Sequence, residues 1–215
     1  MSTQLRQQIK AIFAEAERDP ERLLHNLAAD QLSFIVITMK GSPRHKDIQK
    51  RLDSLGLHAT YVFGVNGKHL VPTVHEGETS FLAPKDSRVT RIDAGVRDNR
   101  DGVPWNTTVA CCASHALAIE AGLALGGPFA VLEDDAFVEA AVRWGTPLGE
   151  ILEGMPKNWQ CLSLNETSSH GHIKGRTRKK LPAGIVPWAA TGRSVYNWGA
   201  QMYVITPSAV LRKLC

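Results

Sequence analysis

Two short apolar runs constrain the fold of this chain more than any other feature of its sequence. Residues 31–38 are rich in β-branched side chains, and residues 128–132 (PFAVL) are apolar throughout. Runs of this length without polar alternation are typical of strands buried on both faces, as in the parallel sheets of α/β proteins. The sequence therefore predicts a layered domain in which helices cover both faces of a central sheet.

The segments around these runs predict the rest of that architecture. Ser42 and Pro43 are typical of a helix start and Gly56 of a helix end, so the first run opens a strand–helix–strand unit. Further strands are predicted at residues 58–65, 161–164 and 201–205, and helices at residues 2–17, after Asp19-Pro20, at residues 108–125 and from Pro207. Residues 66–107 predict a long irregular connection. We predict an α/β domain at residues 31–215, with a mostly parallel sheet flanked by helices, and a helical extension at residues 1–30.

Composition narrows the class of protein. A chain of 215 residues with 43% hydrophobic and 21% charged residues is ordinary for one globular domain. Its net charge of +4 is far below that of a nucleic-acid coat protein and suits an anionic ligand. The four cysteines show no C-x-x-C spacing, which favours reduced thiols in the cytoplasm. No stretch approaches the roughly 20 apolar residues that span a bilayer, so we expect no membrane span.

Three adjacent acids follow the second apolar run. Glu133, Asp134 and Asp135 would lie where open α/β sheets bind ligands, beyond the carboxyl end of a strand. In an extended segment Glu133 and Asp135 point to one side and Asp134 to the other. Close carboxylates raise one another's pKa, so a bound Mg²⁺ or Mn²⁺ is the simplest way to keep them ionised. The alternatives are that Asp134 and Asp135 only cap a turn, or that a phosphotransferase or nuclease uses the same chemistry.

Six segments spread over residues 32–215 carry motifs that occur in this order: FIVITMKGSPR with Arg44, FGVNG with Asn66, CCASH with Ser114 and His115, AVLEDD, WQCLSL and AQMYVI. Together they resemble glycosyltransferase family 25, which includes bacterial lipooligosaccharide galactosyl- and glucosyltransferases and the collagen galactosyltransferases. The chain departs from the family pattern at Thr107-Thr108, where the family has a Gly-Glu pair, and at Ala110, where it has glycine. The family also normally continues beyond the point where this chain stops, which implies a truncated C-terminus, a minimal form or an inactive relative.

The resemblance implies a GT-A fold, a UDP-sugar donor, Mn²⁺ as the metal and inversion at the anomeric carbon. The acceptor would be a hydroxyl of a glycan, a lipid-linked glycan or a protein. Asp135 is expected to be the main metal ligand, with Glu133 binding the metal or the ribose. Donor contacts are expected from Arg44, Asn66, Ser114, His115 and Lys174, and the catalytic base is expected to be Glu166, with Asp134 as its rival.

Each of these roles has a simpler alternative. Ser114 and His115 also fit a buried polar pair that satisfies nearby backbone groups, and Asn66 fits plain turn chemistry. Arg44, Glu166 and the basic run at residues 172–180, which contains Lys174, also fit solvated surface positions.

Two further functions stay open at this point. The basic run would suit a glycosyltransferase that modifies a nucleic-acid base. A catalytically inactive relative would bind only a nucleotide, or a protein through the helical extension.

Overall fold

The structure is a computed structural model that describes residues 3–75, 78–82, 91–93, 105–157, 159–164 and 202–207. Its helices are α1 (Thr3–Arg18), α2 (Pro20–Leu27), α3 (Pro43–Ser54), α4 (Trp105–Leu123) and α5 (Leu148–Glu153), with short 3-10 helices at Gly67–His69 and Val138–Arg143. Its strands are β1 (Ser33–Thr38), β2 (Ala59–Phe63), β3 (Val71–His75), β4 (Glu78–Leu82), β5 (Arg91–Asp93), β6 (Phe129–Glu133), β7 (Cys161–Ser163) and β8 (Met202–Ile205).

The central sheet has five strands in the order β2-β1-β6-β8-β7. β1 pairs in parallel with both β2 and β6, whereas β8 is antiparallel to β6 and to β7. Four strands therefore run in one direction and β8 runs against them. This confirms the predicted α/β class, but the sheet is mixed because β8 is antiparallel to both of its neighbours. The parallel pairings bring the carboxyl ends of β1, β2 and β6 to one edge.

The two apolar runs form the centre of this sheet because they have neighbours on both edges and both faces. Ile35 and Val131 are fully buried on one face, together with Ala118 of α4. Val36 and Leu132 are fully buried on the other face. Complete burial of such aliphatic side chains contributes roughly 1.5–3 kcal/mol each.

Helices α1 and α2 lie where the sequence predicts helices and share the core of the sheet. Leu27 is completely buried in the cluster that contains Val36 and Leu132. The Asn26 side chain donates a hydrogen bond to the carbonyl oxygen of Ala141 at 2.7 Å. Asp19 caps α2 by accepting a hydrogen bond from the backbone N–H of Arg22 at 3.0 Å. Within residues 3–27, the two predicted helices thus help to cover one face of the sheet.

The predicted irregular connection at residues 66–107 is wrong in part, because it contains a second sheet. β3, β4 and β5 form an antiparallel sheet in the order β3-β4-β5. Pro72 lies in β3, which pairs only with β4 among the described residues, and an edge strand tolerates proline because one side of it needs no backbone donor.

Other boundaries also differ from the prediction. β1 begins at Ser33 because the chain turns at Gln31, where φ is +60°. Neither α5 nor the 3-10 helix Val138–Arg143 was predicted. The helix predicted from Pro207 lies outside the described residues from residue 208 onward. None of the helices within the described ranges is both long and apolar enough to cross a membrane.

Candidate functional site

A cavity of about 370 Å³ lies at the edge of the sheet where β1, β2 and β6 end. Its walls come from the end of β1, the start of α3, the loop after β2, helix α4 and the end of β6. Seven of the predicted site residues line this one cavity: Arg44, Asn66, Ser114, His115, Glu133, Asp134 and Asp135.

Asp134 is fixed by the neighbouring strand. Parallel pairing places Ile37 opposite Glu133, so the next residue of β1, Thr38, ends beside Asp134. The Thr38 hydroxyl donates a hydrogen bond to Asp134 Oδ2 at 2.9 Å, and Ser42 Oγ approaches the same oxygen at 3.5 Å. Asp134 Oδ1 lies 3.6 Å from Arg44 Nη1, and the Asp134 side chain is only 12% exposed. Asp134 is therefore held in one orientation.

Asp135 is the most open of the three acids. Its Oδ2 accepts a hydrogen bond from Arg44 Nη1 at 3.0 Å, but both side chains are exposed, so this ion pair contributes little stability. Burial raises the pKa of Asp135, the charges of Glu133 and Asp134 raise it further, and the Arg44 guanidinium opposes them. Arg44 is placed at the cavity because Ser42 caps α3 and accepts a hydrogen bond from the Arg44 backbone N–H at 3.2 Å.

Glu133 is joined to helix α4 through a histidine. His115 Nε2 lies 3.1 Å from Glu133 Oε1, and His115 Nδ1 lies 2.9 Å from the Tyr203 hydroxyl. Burial lowers the pKa of His115, but hydrogen bonds and attractive charges from Cys111 and Glu133 outweigh it and raise the pKa to about 9. A protonated imidazole therefore donates to Glu133 on one side and to Tyr203 on the other. Burial raises the pKa of Tyr203, which keeps its hydroxyl neutral.

Ser114 is bonded to the backbone on both sides. Its hydroxyl donates to the Ala110 carbonyl oxygen at 2.7 Å and accepts from the Val65 N–H at 2.8 Å. A Cβ atom at Gly64 would lie 2.7 Å from Ser114 Oγ, so the loop after β2 touches α4. Ser114 therefore fits the alternative to a donor contact, that of a buried residue whose hydroxyl satisfies backbone groups. Its contacts differ from those of His115, as expected for adjacent helix positions about 100° apart.

Asn66 caps the short helix Gly67–His69 and lines the same cavity. Its side-chain oxygen accepts a hydrogen bond from the backbone N–H of Lys68 at 3.0 Å. This hydrogen bond is the turn-stabilising role that was the alternative to a donor contact for Asn66. It also holds the side chain at the cavity wall.

The expected alternation of the three acids is wrong. Glu133 is the last residue of β6, and the chain turns at Asp134 and Asp135 instead of continuing extended. As a result Asp134 and Asp135 share Arg44, whereas Glu133 pairs with His115. Each acid has a cationic protein partner, so charge repulsion within the triplet does not by itself require a metal ion.

Sequence reasoning missed three polar residues of this site. Thr38 and Tyr203 hold Asp134 and His115, and Cys111 lines the cavity next to His115. One sulfur, nitrogen or oxygen atom each of Cys111, His115 and Glu133 lie within 4.8 Å of one another. The spacing of Cys111 and His115 was a usable signal, since residues four apart share one face of a helix.

Two predicted site residues, Glu166 and Lys174, lie outside the described residues, as does the basic run at residues 172–180. Among the described residues, carboxylate oxygens of Asp135 and Glu133 face the cavity, and oxygen ligands of this kind fit Mn²⁺ or Mg²⁺. Comparisons of the chain with protein-family models, with curated proteins and with solved structures found no match.

Proposed function

We propose that this chain is a glycosyltransferase that transfers a hexose from a UDP-sugar to an acceptor hydroxyl. The observation that carries the proposal is that Glu133, Asp134 and Asp135 meet Arg44, Asn66 and His115 in one cavity at the carboxyl edge of the sheet. Ligands of open α/β sheets bind at this edge. The resemblance to glycosyltransferase family 25 supports the UDP-sugar as the ligand, and the acceptor would belong to a glycan, a lipid-linked glycan or a protein.

The cavity contains a cationic side chain that can bind phosphate oxygens and acidic side chains that can bind the metal ion accompanying a nucleotide diphosphate. Arg44 is 60% exposed and points its guanidinium at the acids, so it can bind phosphate oxygens with little loss of packing. Asn66 and His115 also line the cavity and would contact the nucleotide or the sugar. Asp135 and Glu133 would hold Mn²⁺, which stabilises the negative charge that develops on the leaving diphosphate.

Inversion needs a base that takes the proton of the acceptor hydroxyl as the glycosidic bond forms and UDP leaves. We assign this role to Glu166, with Asp134 as the rival. Within the described residues Asp134 is mostly buried and bonded to Thr38 and Arg44, which favours a role in orienting Arg44.

The proposal is tested by thermal unfolding with UDP, with and without Mn²⁺. A site-specific ligand stabilises the folded state by mass action, by about 2.7 kcal/mol when it is present at about 100 times its Kd. We expect UDP with Mn²⁺ to raise the melting temperature of the wild type. Asp135→Asn should lose the Mn²⁺-dependent part of this gain, whereas the control Asp47→Asn, an exposed position on α3, should keep it.

The outcomes separate the proposal from its alternatives. If UDP changes the melting temperature in neither condition, the donor assignment is wrong. If UDP stabilises the chain but no UDP-sugar is ever turned over, the chain is an inactive nucleotide-binding relative.

A further inference from the structure

Three side chains of the cavity form a cluster that includes a thiol and an imidazole. Mn²⁺ and Mg²⁺, which prefer oxygen ligands, do not account for these two groups. Cys111 and His115 lie one turn apart on α4, and Glu133 ends the adjacent strand β6. One potential ligand atom of each lies within 4.8 Å of the other two. We propose that Cys111, His115 and Glu133 bind Zn²⁺, with a fourth coordination position that opens into the cavity.

The donor set selects the kind of ion. A thiolate and an imidazole prefer Zn²⁺ and other late first-row cations over Mg²⁺, Ca²⁺ or Mn²⁺, which prefer oxygen. One thiolate and one carboxylate also balance the two positive charges of Zn²⁺. Three protein ligands with an open fourth position are typical of catalytic rather than structural zinc sites.

The nitrogen–oxygen distance is close to the one that such an ion imposes. With Zn–N and Zn–O bonds of about 2.1 Å in a tetrahedral arrangement, the ligand nitrogen and oxygen lie about 3.4 Å apart. His115 Nε2 and Glu133 Oε1 are 3.1 Å apart. The same geometry puts sulfur about 3.6 Å from the nitrogen. Because the Cys111 side chain is exposed, a rotation can bring its sulfur into place without opening the core.

The second nitrogen of His115 is already fixed. Nδ1 lies 2.9 Å from the Tyr203 hydroxyl, and Tyr203 is buried in the sheet at 7% exposure. Zn²⁺ would displace the proton that Nε2 otherwise donates to Glu133. With Nδ1–H donating to Tyr203, the neutral ring would then present the lone pair of Nε2 to the ion. Histidine ligands of metals commonly have such a partner for the other ring nitrogen, and the partner sets the tautomer and the ring orientation.

This inference does not rest on the proposed glycosyl transfer. Glu133 and His115 are common to the two sites, so Zn²⁺ and Mn²⁺ would compete for the Glu133 carboxylate, whereas Cys111 has no role in donor binding and Asp135 lies outside the Cys111–His115–Glu133 cluster. Loss of the Zn²⁺ site therefore leaves UDP binding measurable, and a chain that ignores UDP can still bind Zn²⁺.

The test is a titration of the chelator-treated full chain with Co²⁺, which takes Zn²⁺ sites and gives a thiolate-to-metal absorption band. We expect the wild type to show this band, with the intensity of tetrahedral coordination, and Zn²⁺ to abolish it. Cys111→Ser should lose the band. The matched control Cys112→Ser, at the neighbouring exposed position of α4, should keep it.

Two more variants address the other parts of the site. Glu133→Gln should weaken Co²⁺ binding. Tyr203→Phe keeps all three ligands but removes the partner of Nδ1, and loss of such partners lowers metal affinity about 10- to 100-fold. Unchanged melting temperatures of the metal-free variants show that folding is preserved.

Three results would overturn the proposal: no thiolate band in the wild type, a band that survives Cys111→Ser, or a band lost in Cys112→Ser. Alkylation of the thiol gives a further check. If Cys111 reacts rapidly with iodoacetamide and Zn²⁺ does not protect it, Cys111 and His115 form a metal-free thiol–imidazole pair and the zinc assignment is wrong.

Discussion

The Ser114 hydroxyl is the contact through which helix α4 holds the loop that carries Asn66. Ser114→Ala removes both of its hydrogen bonds and leaves the N–H of Val65 without its partner. Both residues are buried, with exposures of 6% for Ser114 and 8% for Val65. A buried donor left unsatisfied costs about 1–3 kcal/mol. We expect Ser114→Ala to lower the free energy of unfolding by that amount.

The assay is chemical denaturation followed by circular dichroism, with linear extrapolation to water. Ser54→Ala is the control, because Ser54 is exposed and, among the described residues, its hydroxyl bonds only to the Arg51 carbonyl oxygen. An exposed substitution of this kind should stay within about 0.5 kcal/mol. Equal effects of Ser114→Ala and Ser54→Ala would refute the reasoning.

A double-mutant cycle gives a sharper version of the same test. Gly64→Ala alone would place a Cβ 2.7 Å from Ser114 Oγ and 3.2 Å from Ser114 Cβ. In the Ser114→Ala background the closer of these contacts is gone. Neighbouring sites couple by about 0.5–3 kcal/mol, so we expect the double variant to be more stable than the sum of the single effects predicts. Additive effects would contradict the close approach.

Three further substitutions test other contacts. Arg51→Met leaves the buried Glu139 carboxylate without its ion partner and should cost about 3 kcal/mol in denaturation, and an unchanged midpoint would contradict this. Asn26→Ala removes the bond to the Ala141 carbonyl and should cost about 1–3 kcal/mol, measured in the same way. Because folding raises the pKa of His115 from 6.5 to about 9, its contribution is complete below pH 6.5 and is lost as pH rises through about 9. The stability difference between metal-free wild type and His115→Gln should shrink over that interval, and a constant difference would contradict the pairing with Glu133.

Much of the central sheet could be predicted from sequence because its inner strands are apolar without interruption. The runs at residues 31–38 and 128–132 became β1 and β6, which are neighbours in the sheet and each have a strand on both edges. The second sheet could not be predicted in this way. β3 contains Pro72 and β5 has only three residues, so neither shows a regular alternation of polar and apolar side chains.

The position of the candidate site could be predicted from the sequence. The hydrogen-bond and ion-pair partners of its residues could not. Acids that follow a buried strand must lie at the carboxyl edge of the sheet, and Glu133 does. The partners of the acids come from distant segments, and only the strand order brings Thr38 to Asp134 and Tyr203 to His115. The turn after Glu133 also brings Asp135 to the same arginine as Asp134, which an extended segment would not do.

The central claim is tested most directly by the release of UDP from a panel of UDP-hexoses with Mn²⁺ present. The account predicts that the wild type releases UDP from at least one of them and that Asp135→Asn is slower by about 100-fold or more. That factor follows because a metal contributes several kcal/mol to stabilising the leaving group. The absence of UDP release from every donor, or equal rates for wild type and Asp135→Asn, would contradict the account.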